Sequence, residues 1–480
     1  MRKLKTIIAS LVLTGTLVSC TKDYKEINTS KDGVRATTPE TMLTSALHDV
    51  VTRNQNRAMR LTNELMQVHV TTSNSDEIHR YVIRPLESDY MWNNWYLQLT
   101  NFKDMYKGAQ VVKSNNYMGI ALILDVWVSS LLTDTYGDVP YFEANQGQAG
   151  VLQPKFDRQQ VIYEDLFKKL ELANTVLKSA TTVADDDKSY DALYNGDMAK
   201  WRKFGNSLYL RLLMRVSGKA EMNAAAKIAE IVDTKKAEYP IFANNNESAI
   251  LRFQSTPPLV SEFYNYRDID FNSTNGMSQF FINNLNDWED PRLEKWVTKF
   301  ENTYEGIPSG WAPGEDPSVK SKYHLNLKNE PLLGNIINYA ELQFILAEAA
   351  VRGFIVGDAQ TYYENGVTAA LSMWGYSVPS AYLTSTTAKW NPADNEFQKI
   401  EKIMLQKYYT LFFTDFQSWF EYRRTGFPVL PKGNGLQNGG IMPSRLKYPV
   451  NVQSLNAANY KDAVANMGGD DLNTKVWWNK

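Results

Sequence analysis

Residues 338–375 read NYAELQFILAEAAVRGFIVGDAQTYYENGVTAALSMWG, and their spacing decides the fold. Ala340, Phe344, Ala347 and Ala350 recur at three and four residues, which sets small side chains along one face of a first helix. Gly353 and Gly357 bracket a turn. A second helix runs through Tyr362, Tyr363, Val367 and Ala370. The span from Tyr339 to Ser372 is about 34 residues, the period of a tetratricopeptide repeat, with small residues where two helices must approach closely. The strict repeat consensus is absent, so the expectation is a divergent helix pair.

Working outward, most of the chain shows the same period. Trp92, Trp95, Tyr96, Leu99, Phe102, Met105 and Tyr106 lie on one helical face. YMGIALILDVWVSSLLTD, residues 117–134, is apolar nearly all round and predicts a buried helix that ends at Gly137 and Pro140. Residues 156–177 are amphipathic, 197–218 and 223–232 predict another helix pair, and a last helix is expected over roughly 396–419. Residues 240–333 differ. Gly, Pro, Asn, Ser and Asp crowd them and periodicity fades, so this stretch predicts long loops, which in compact proteins usually carry function. The C-terminal stretches RLKYPVNVQSLNAANY and GGDDLNTKVWWNK also read as ordered loops. The fold expected is mainly α: helix pairs as a scaffold over about 39–239 and 334–425, a loop-rich face over about 240–333, and few short strands.

The N-terminus opens with Arg2, Lys3 and Lys5, followed by an apolar run from Thr6 to Val18. That run is shorter than the about 20 residues a membrane span needs and reads as a secretory signal over 1–19. Leu17-Val18-Ser19-Cys20 resembles the bacterial lipobox, in which the cysteine is acylated. Cys20 is the only cysteine, so no disulfide forms within the chain, and residues 20–38 read as a polar tether behind a lipid anchor. The formal net charge is −2 without basic blocks, which argues against nucleic acid as a partner. Aromatics make up 12% of the chain, enough to furnish both a core and surfaces that stack on ligands.

Several stretches occur together in an order that resembles the SusD/RagB outer-membrane lipoproteins of Bacteroidetes. They are LLTDTYGDVPYFEA (131–144), YNGDMAKWRKFGNSLYLRLLMRVS (194–217), EDPRL (289–293), YAELQFILAEAAVRG (339–353), QSWFEYRRTGFPVL (417–430), RLKYPVN (445–451) and DDLNTKVWW (470–478). The resemblance is nearest to the SusD-like branch carrying WFEYRRTGFP. It implies four tetratricopeptide-like helix pairs beneath a loop-rich ligand face, and a non-enzymatic role. That role is capture of a nutrient at the cell exterior and delivery to a SusC-like, TonB-dependent β-barrel transporter, on which the lipoprotein sits as a lid. Glycan is the usual ligand class of that family, and some members serve oligopeptide import.

Candidate ligand residues follow from residue type. A pyranose presents apolar C–H faces, which a flat ring matches, while amides and charged groups orient its hydroxyls. Tyr304 and Trp311, in a Gly/Pro-rich loop, are the stacking candidates. Tyr264, Tyr266, Arg267 and Asn272 are the accompanying ring and polar candidates. Helical spacing places at least two of Trp92, Trp95 and Tyr96 in the core, and Trp92 is kept as the one exposed candidate. The same residues suit an oligopeptide. Asp134, Asp138 and Glu143 read as a structural turn rather than a metal or acid–base site. Glu421, Arg423 and Arg424 read as internal pairs. His48, His69, His79 and His324 form no metal spacing, and no phosphate loop or nucleophile elbow occurs, so no cofactor is expected, although acidic loops leave calcium open. Two rivals remain. A helical glycoside hydrolase would need two carboxylates across a cleft, with Asp268 and Asp270 nearest the expected site. An assembly scaffold would use the repeat grooves for protein partners.

Overall fold

The computed structural model describes residues 38–72, 78–272 and 275–480. The expected signal over 1–19, the lipidation of Cys20 and the tether up to residue 37 lie outside the described residues. The chain is mostly helical with few short strands. Helices α1 (Pro39–Arg57), α2 (Leu86–Val111), α3 (Asn115–Tyr136), α4 (Gln159–Lys178) and α5 (Met198–Arg215) pack in succession, each against the next or next but one. After the loop-rich stretch, with its short helix α6 (Gln279–Asp287), come α7 (Tyr339–Val351) and α8 (Ala359–Met373). These are the pair read from the sequence. Both are capped: Asn338 Oδ1 accepts from Glu341 N at 2.8 Å, and Asp358 Oδ2 accepts from Thr361 N at 2.8 Å. They approach closely because Gly366 has no side chain; a Cβ there would lie 2.7 Å from the Phe344 ring. Gly205 plays the same part between α5 and α3, where a Cβ would meet Ile123 at 2.9 Å.

Helix α3 is long and apolar enough to cross a membrane by length and composition, but 94% of its apolar window is covered by the protein itself. It is the central core helix, as its all-round apolar sequence predicts. Trp95, Trp127, Trp201, Trp288, Trp296 and Trp419 are all fully buried in the same core. Aromatic surplus therefore goes first to the interior.

The helix expected over 396–419 is two helices, α9 (Glu396–Thr410) and α10 (Gln417–Thr425). Phe413 and Asp415 between them have φ of 58° and 36°, a left-handed backbone that no helix continues through. No Gly or Pro marks the break; tertiary bonds hold it, among them Asn335 Nδ2 to Thr414 Oγ1 at 2.6 Å and Thr62 Oγ1 to the Asp415 carbonyl at 3.0 Å. A second difference lies at the C-terminus. Within RLKYPVNVQSLNAANY, read as a loop, Val450–Leu455 is a short helix and residues 457–460 open α11 (Ala457–Met467), which docks Ala463 and Met467 into the core and ends at Gly468 with φ 89°.

The internal pairs read from WFEYRRTGFP are present. Arg424 clamps Glu348 with two bonds of 2.6 Å and reaches Glu421 at 2.6 Å. Lys407 meets Glu421 at 3.0 Å and Arg215 meets it at 3.1 Å. Arg423 donates to the Asp134 carbonyl at 2.6 Å and to the Ser444 carbonyl. Asp134 itself is buried, paired with Arg215 at 2.9 Å and accepting from Tyr163 and Trp478, each at 2.7 Å. Asp138 accepts from Gln159 N at 2.9 Å and Gly137 turns with φ 87°, so this acidic stretch is a structural turn.

Three two-stranded antiparallel ribbons complete the fold: β1 (His69–Thr71) with β5 (Asn275–Met277), β2 (Val139–Pro140) with β3 (Phe156–Asp157), and β4 (Ala249–Ile250) with β6 (Asn335–Ile337). The first of them anchors the loop-rich face.

Candidate functional site

The site grows from an irregularity in α1. The helix widens into a π-turn at Ala58–Thr62, a feature that rotates side chains out of register and concentrates at functional sites. A short helical turn over Asn63–Leu65 follows, then Gln67 with φ 54° turns the chain into β1. Pairing of Thr71 with Asn275 and His69 with Met277 fixes β1 against β5. Successive strand residues point to opposite faces, so His69, Thr71 and Asn275 look one way and Val70 and Gly276 the other.

On the first face lies a polar pocket of about 120 Å³, lined by Met59, Arg60, Glu64, His69, Thr71, Tyr266, Asp270 and Asn275. Its floor is a fixed network. Asn63 Nδ2 donates to the Tyr323 hydroxyl at 3.0 Å, and that hydroxyl meets His69 Nδ1 at 2.8 Å. The other ring nitrogen, His69 Nε2, lies 3.7 Å from Glu64 Oε1. Thr71 Oγ1 donates to Glu64 at 2.9 Å.

The rim is aromatic and cationic. Tyr266 is half-buried; its hydroxyl accepts from Asn56 at 3.0 Å and its ring meets Phe263 edge-on at 5.4 Å. Burial raises the Tyr266 phenol and Glu262 adds to the shift, while Arg60 opposes it. Along α1, Arg57 lies 4.3 Å over the Tyr90 ring and Arg53 donates to the Tyr90 hydroxyl at 3.2 Å. Half-buried rings beside amides, a hydroxyl and an exposed guanidinium can hold a polyhydroxylated ligand by ring contact and hydrogen bonds together. A pocket this small takes one substituent of a ligand that rests on the rim, since whole-ligand pockets run about 300–1,000 Å³.

The candidates read from the sequence are only partly brought together. Tyr266 lines the pocket, and Arg267 stands exposed above it, bound to Asp270 by two contacts of 2.7 Å. Asn272 turns inward and donates to the Tyr323 carbonyl at 3.1 Å. Tyr264, two residues before Tyr266, is half-buried and does not line the pocket. Tyr304 is half-buried elsewhere, with Lys299 5.5 Å from its ring centre. Two expectations need correction. Trp92, expected as an exposed ring, is 6% exposed and packs on Tyr96, Tyr136, Phe156 and Tyr448. Trp311, expected as a stacking ring, is 3% exposed; it packs with Val70 and Ile307 on the far face of the β1–β5 ribbon, tilted on His79 and under Arg80. The loop folds back on itself and makes a small core of its own. Burial, with Arg80 and His69 adding to it, pushes His79 down to about 3.

The sequence reading missed Arg60, Glu64, Asn275 and Tyr90. Their one signal was Arg60, Asn63, Glu64 and Gln67 interrupting an otherwise apolar stretch. The carboxylates named for hydrolysis are both held by cations, Asp268 by Lys328 at 2.8 Å and Asp270 by Arg267, which keeps Asp270 below the usual carboxylate range. Among the described residues no group of three or more His, Cys, Asp or Glu is placed to hold a metal. A larger cleft, of about 1140 Å³, lies on the helical scaffold between α2, α3 and α4 and holds none of the expected ligand residues.

A scaffold of tetratricopeptide-like helix pairs bearing a loop-built polar pocket defines a helical-repeat protein with a ligand face. The family model described as starch-binding and associating with the outer membrane, SusD-like, matches residues 31–449, and the chain belongs to that family. Among solved structures, a chitin-binding protein is 28% identical, with 92% of this chain and 99% of that chain covered and a TM-score of 0.77. A SusD-like protein from Bacteroides thetaiotaomicron is 24% identical, with 92% and 98% covered and a TM-score of 0.76. A chitin-binding SusD homologue from Flavobacterium johnsoniae is 20% identical, with 92% and 98% covered and a TM-score of 0.80. Among curated protein sequences none matches this chain.

Proposed function

We propose that this protein is a lipid-anchored, non-enzymatic subunit that captures a glycan at the cell exterior and passes it to a SusC-like, TonB-dependent β-barrel transporter. Acylation of Cys20 supplies the anchor in this reading. The observation that carries it is the pocket at the α1 π-turn, where the half-buried Tyr266, the exposed Arg60 and the Asn275 amide converge beside the aromatic Tyr90. That combination offers ring area for sugar C–H faces and donors and acceptors for hydroxyls. The 28% identical chitin-binding relative makes an N-acetylated sugar the first ligand to try. Tyr266 and Arg267 are the sequence candidates assigned to ligand contact.

The test is calorimetric titration of the intact protein with chito-oligosaccharides, starch fragments and mixed oligopeptides, beside Tyr266→Ala and Arg60→Ala. Glycan heat that falls about tenfold or more in affinity in both variants is expected, in line with about 1–3 kcal/mol for a stacked ring and its hydrogen bonds. Peptide heat without glycan heat would replace the ligand class. Turnover of any glycan would end the non-enzymatic reading.

A further inference from the structure

The cleft between α2, α3, α4 and the loop Tyr141–Ala149 is built differently from the pocket on the loop face. At about 1140 Å³ it is large enough for several sugar rings, where the first pocket admits one substituent. Its walls expose rings and aliphatic area: Phe142 is 47% exposed, Leu172 42%, and Tyr106 is half-buried. The loop adds the free amide of Gln148 at its lip.

Charge in the cleft is unevenly spent. Asp125 accepts from Lys169 at 2.5 Å, and Asp165 accepts from the Tyr141 hydroxyl at 2.7 Å and lies 3.4 Å from Lys169. Burial opposes the Lys169 ammonium, but Asp125 and Asp165 outweigh it and raise its pKa. The two inner carboxylates are therefore consumed by one lysine and one phenol. Lys107 pairs with Asp104 at the open edge, 3.1 Å apart. Two cations are left over. Lys103 lies against neutral oxygens, the carbonyls of Tyr141 and Ala144 at 3.4 and 3.2 Å and Asn145 Oδ1 at 3.1 Å. Burial lowers its pKa, with Lys169 and Lys107 adding to the shift and Asp125 and Asp157 opposing it. Lys168 is exposed on the wall and makes no ion pair or hydrogen bond among the described residues. A half-buried ammonium hydrogen-bonded only to neutral oxygens, its burial not offset by Asp125 and Asp157, gains from an anionic group in the cleft.

We propose that this cleft is a second binding site, for an oligosaccharide that carries a carboxylate, with Tyr106 and Phe142 against the sugar faces and Lys103 and Lys168 against the carboxylate. The inference rests on the glycan-capture reading and deepens it: one chain holds a small-substituent site on its loops and an acidic-sugar site on its helices. Helices form three sides of the cleft and the loop Tyr141–Ala149 the fourth.

The test titrates the intact protein with trigalacturonate and with chitotriose, at low and at moderate salt. Trigalacturonate binding is expected to weaken about tenfold or more in Lys168→Gln and in Phe142→Ala, both exposed positions that leave the fold alone, and to weaken as salt rises. Lys103→Gln is read alongside, with its unfolding midpoint measured. Chitotriose affinity is expected to be unchanged in all three, and trigalacturonate affinity unchanged in Tyr266→Ala. Absence of trigalacturonate binding in a protein that binds chitotriose overturns the second site and leaves the capture function standing. Equal competition by inorganic sulfate overturns it too, by reducing the cleft to an unspecific anion site. Failure to bind any glycan overturns both readings.

Discussion

Replacing Trp311 separates a structural ring from a ligand platform. Its side chain is 3% exposed, and it sits in a small cluster with Val70 and Ile307, outside the main core. Truncating a buried Trp to Ala costs about 3–5 kcal/mol, and a small peripheral cluster collapses more readily than a large core, which puts Trp311→Ala near 3. Unfolding entropy of about 2.1 cal/mol/K per residue over roughly 440 residues gives about 0.9 kcal/mol/K, so the midpoint should drop by about 3 °C. Trp311→Phe should cost far less. The indole Nε1 is buried without a hydrogen-bond partner, so Phe loses no bond and keeps most of the area against His79 and Arg80. Thermal unfolding of the three proteins, with glycan titration beside it, checks this. Unchanged midpoints together with lost glycan affinity would refute the reasoning, because a ring that stabilises nothing yet binds sugar cannot be buried as described.

Two more expectations concern buried charge. Arg424→Met removes the two-bond partner of the fully buried Glu348, which keeps only Arg352, and one of the three cations on Glu421, and should cost about 3 kcal/mol in chemical denaturation; a change under about 1 would mean water reaches the pair. Asp415 is pushed up to about 6, by burial before all else, and its Oδ2 has no partner. Its folded pKa lies above the unfolded 3.8, so the native state holds the proton more tightly and stability falls as pH rises from about 4 to about 6. Asp415→Asn, which keeps an acceptor for Phe416 N, should therefore leave stability near pH 4 unchanged and raise it by up to about 3 kcal/mol near pH 7. A variant with the same pH slope as the parent would sink this account.

Much of the scaffold was legible because helix pairs announce themselves locally. Ala340, Phe344 and Ala370 carry their packing role in spacing and size alone, and the paired Arg424 and Glu421 of WFEYRRTGFP lie three residues apart on one helix. The run that became α3 is apolar on every side, and such a run has only the interior to go to. The family, too, was legible in the order of those stretches, and its model matches residues 31–449.

The site was a matter for the tertiary structure. Its pocket joins Arg60 from the π-turn and Glu64 from the helical turn after it to Thr71 and Asn275, which are brought together by a two-stranded ribbon spanning some 200 residues of chain. Nothing in the neighbourhood of either strand encodes that pairing. The break at Phe413 and Asp415 and the burial of Trp311 are of the same kind. A ring in a Gly/Pro-rich loop is exposed or buried according to whether the loop returns upon a surface, here the far face of β1–β5. Periodicity reports which face of an element is apolar. Which distant element covers that face, and which polar groups are left over when it does, depends on contacts that local sequence does not contain.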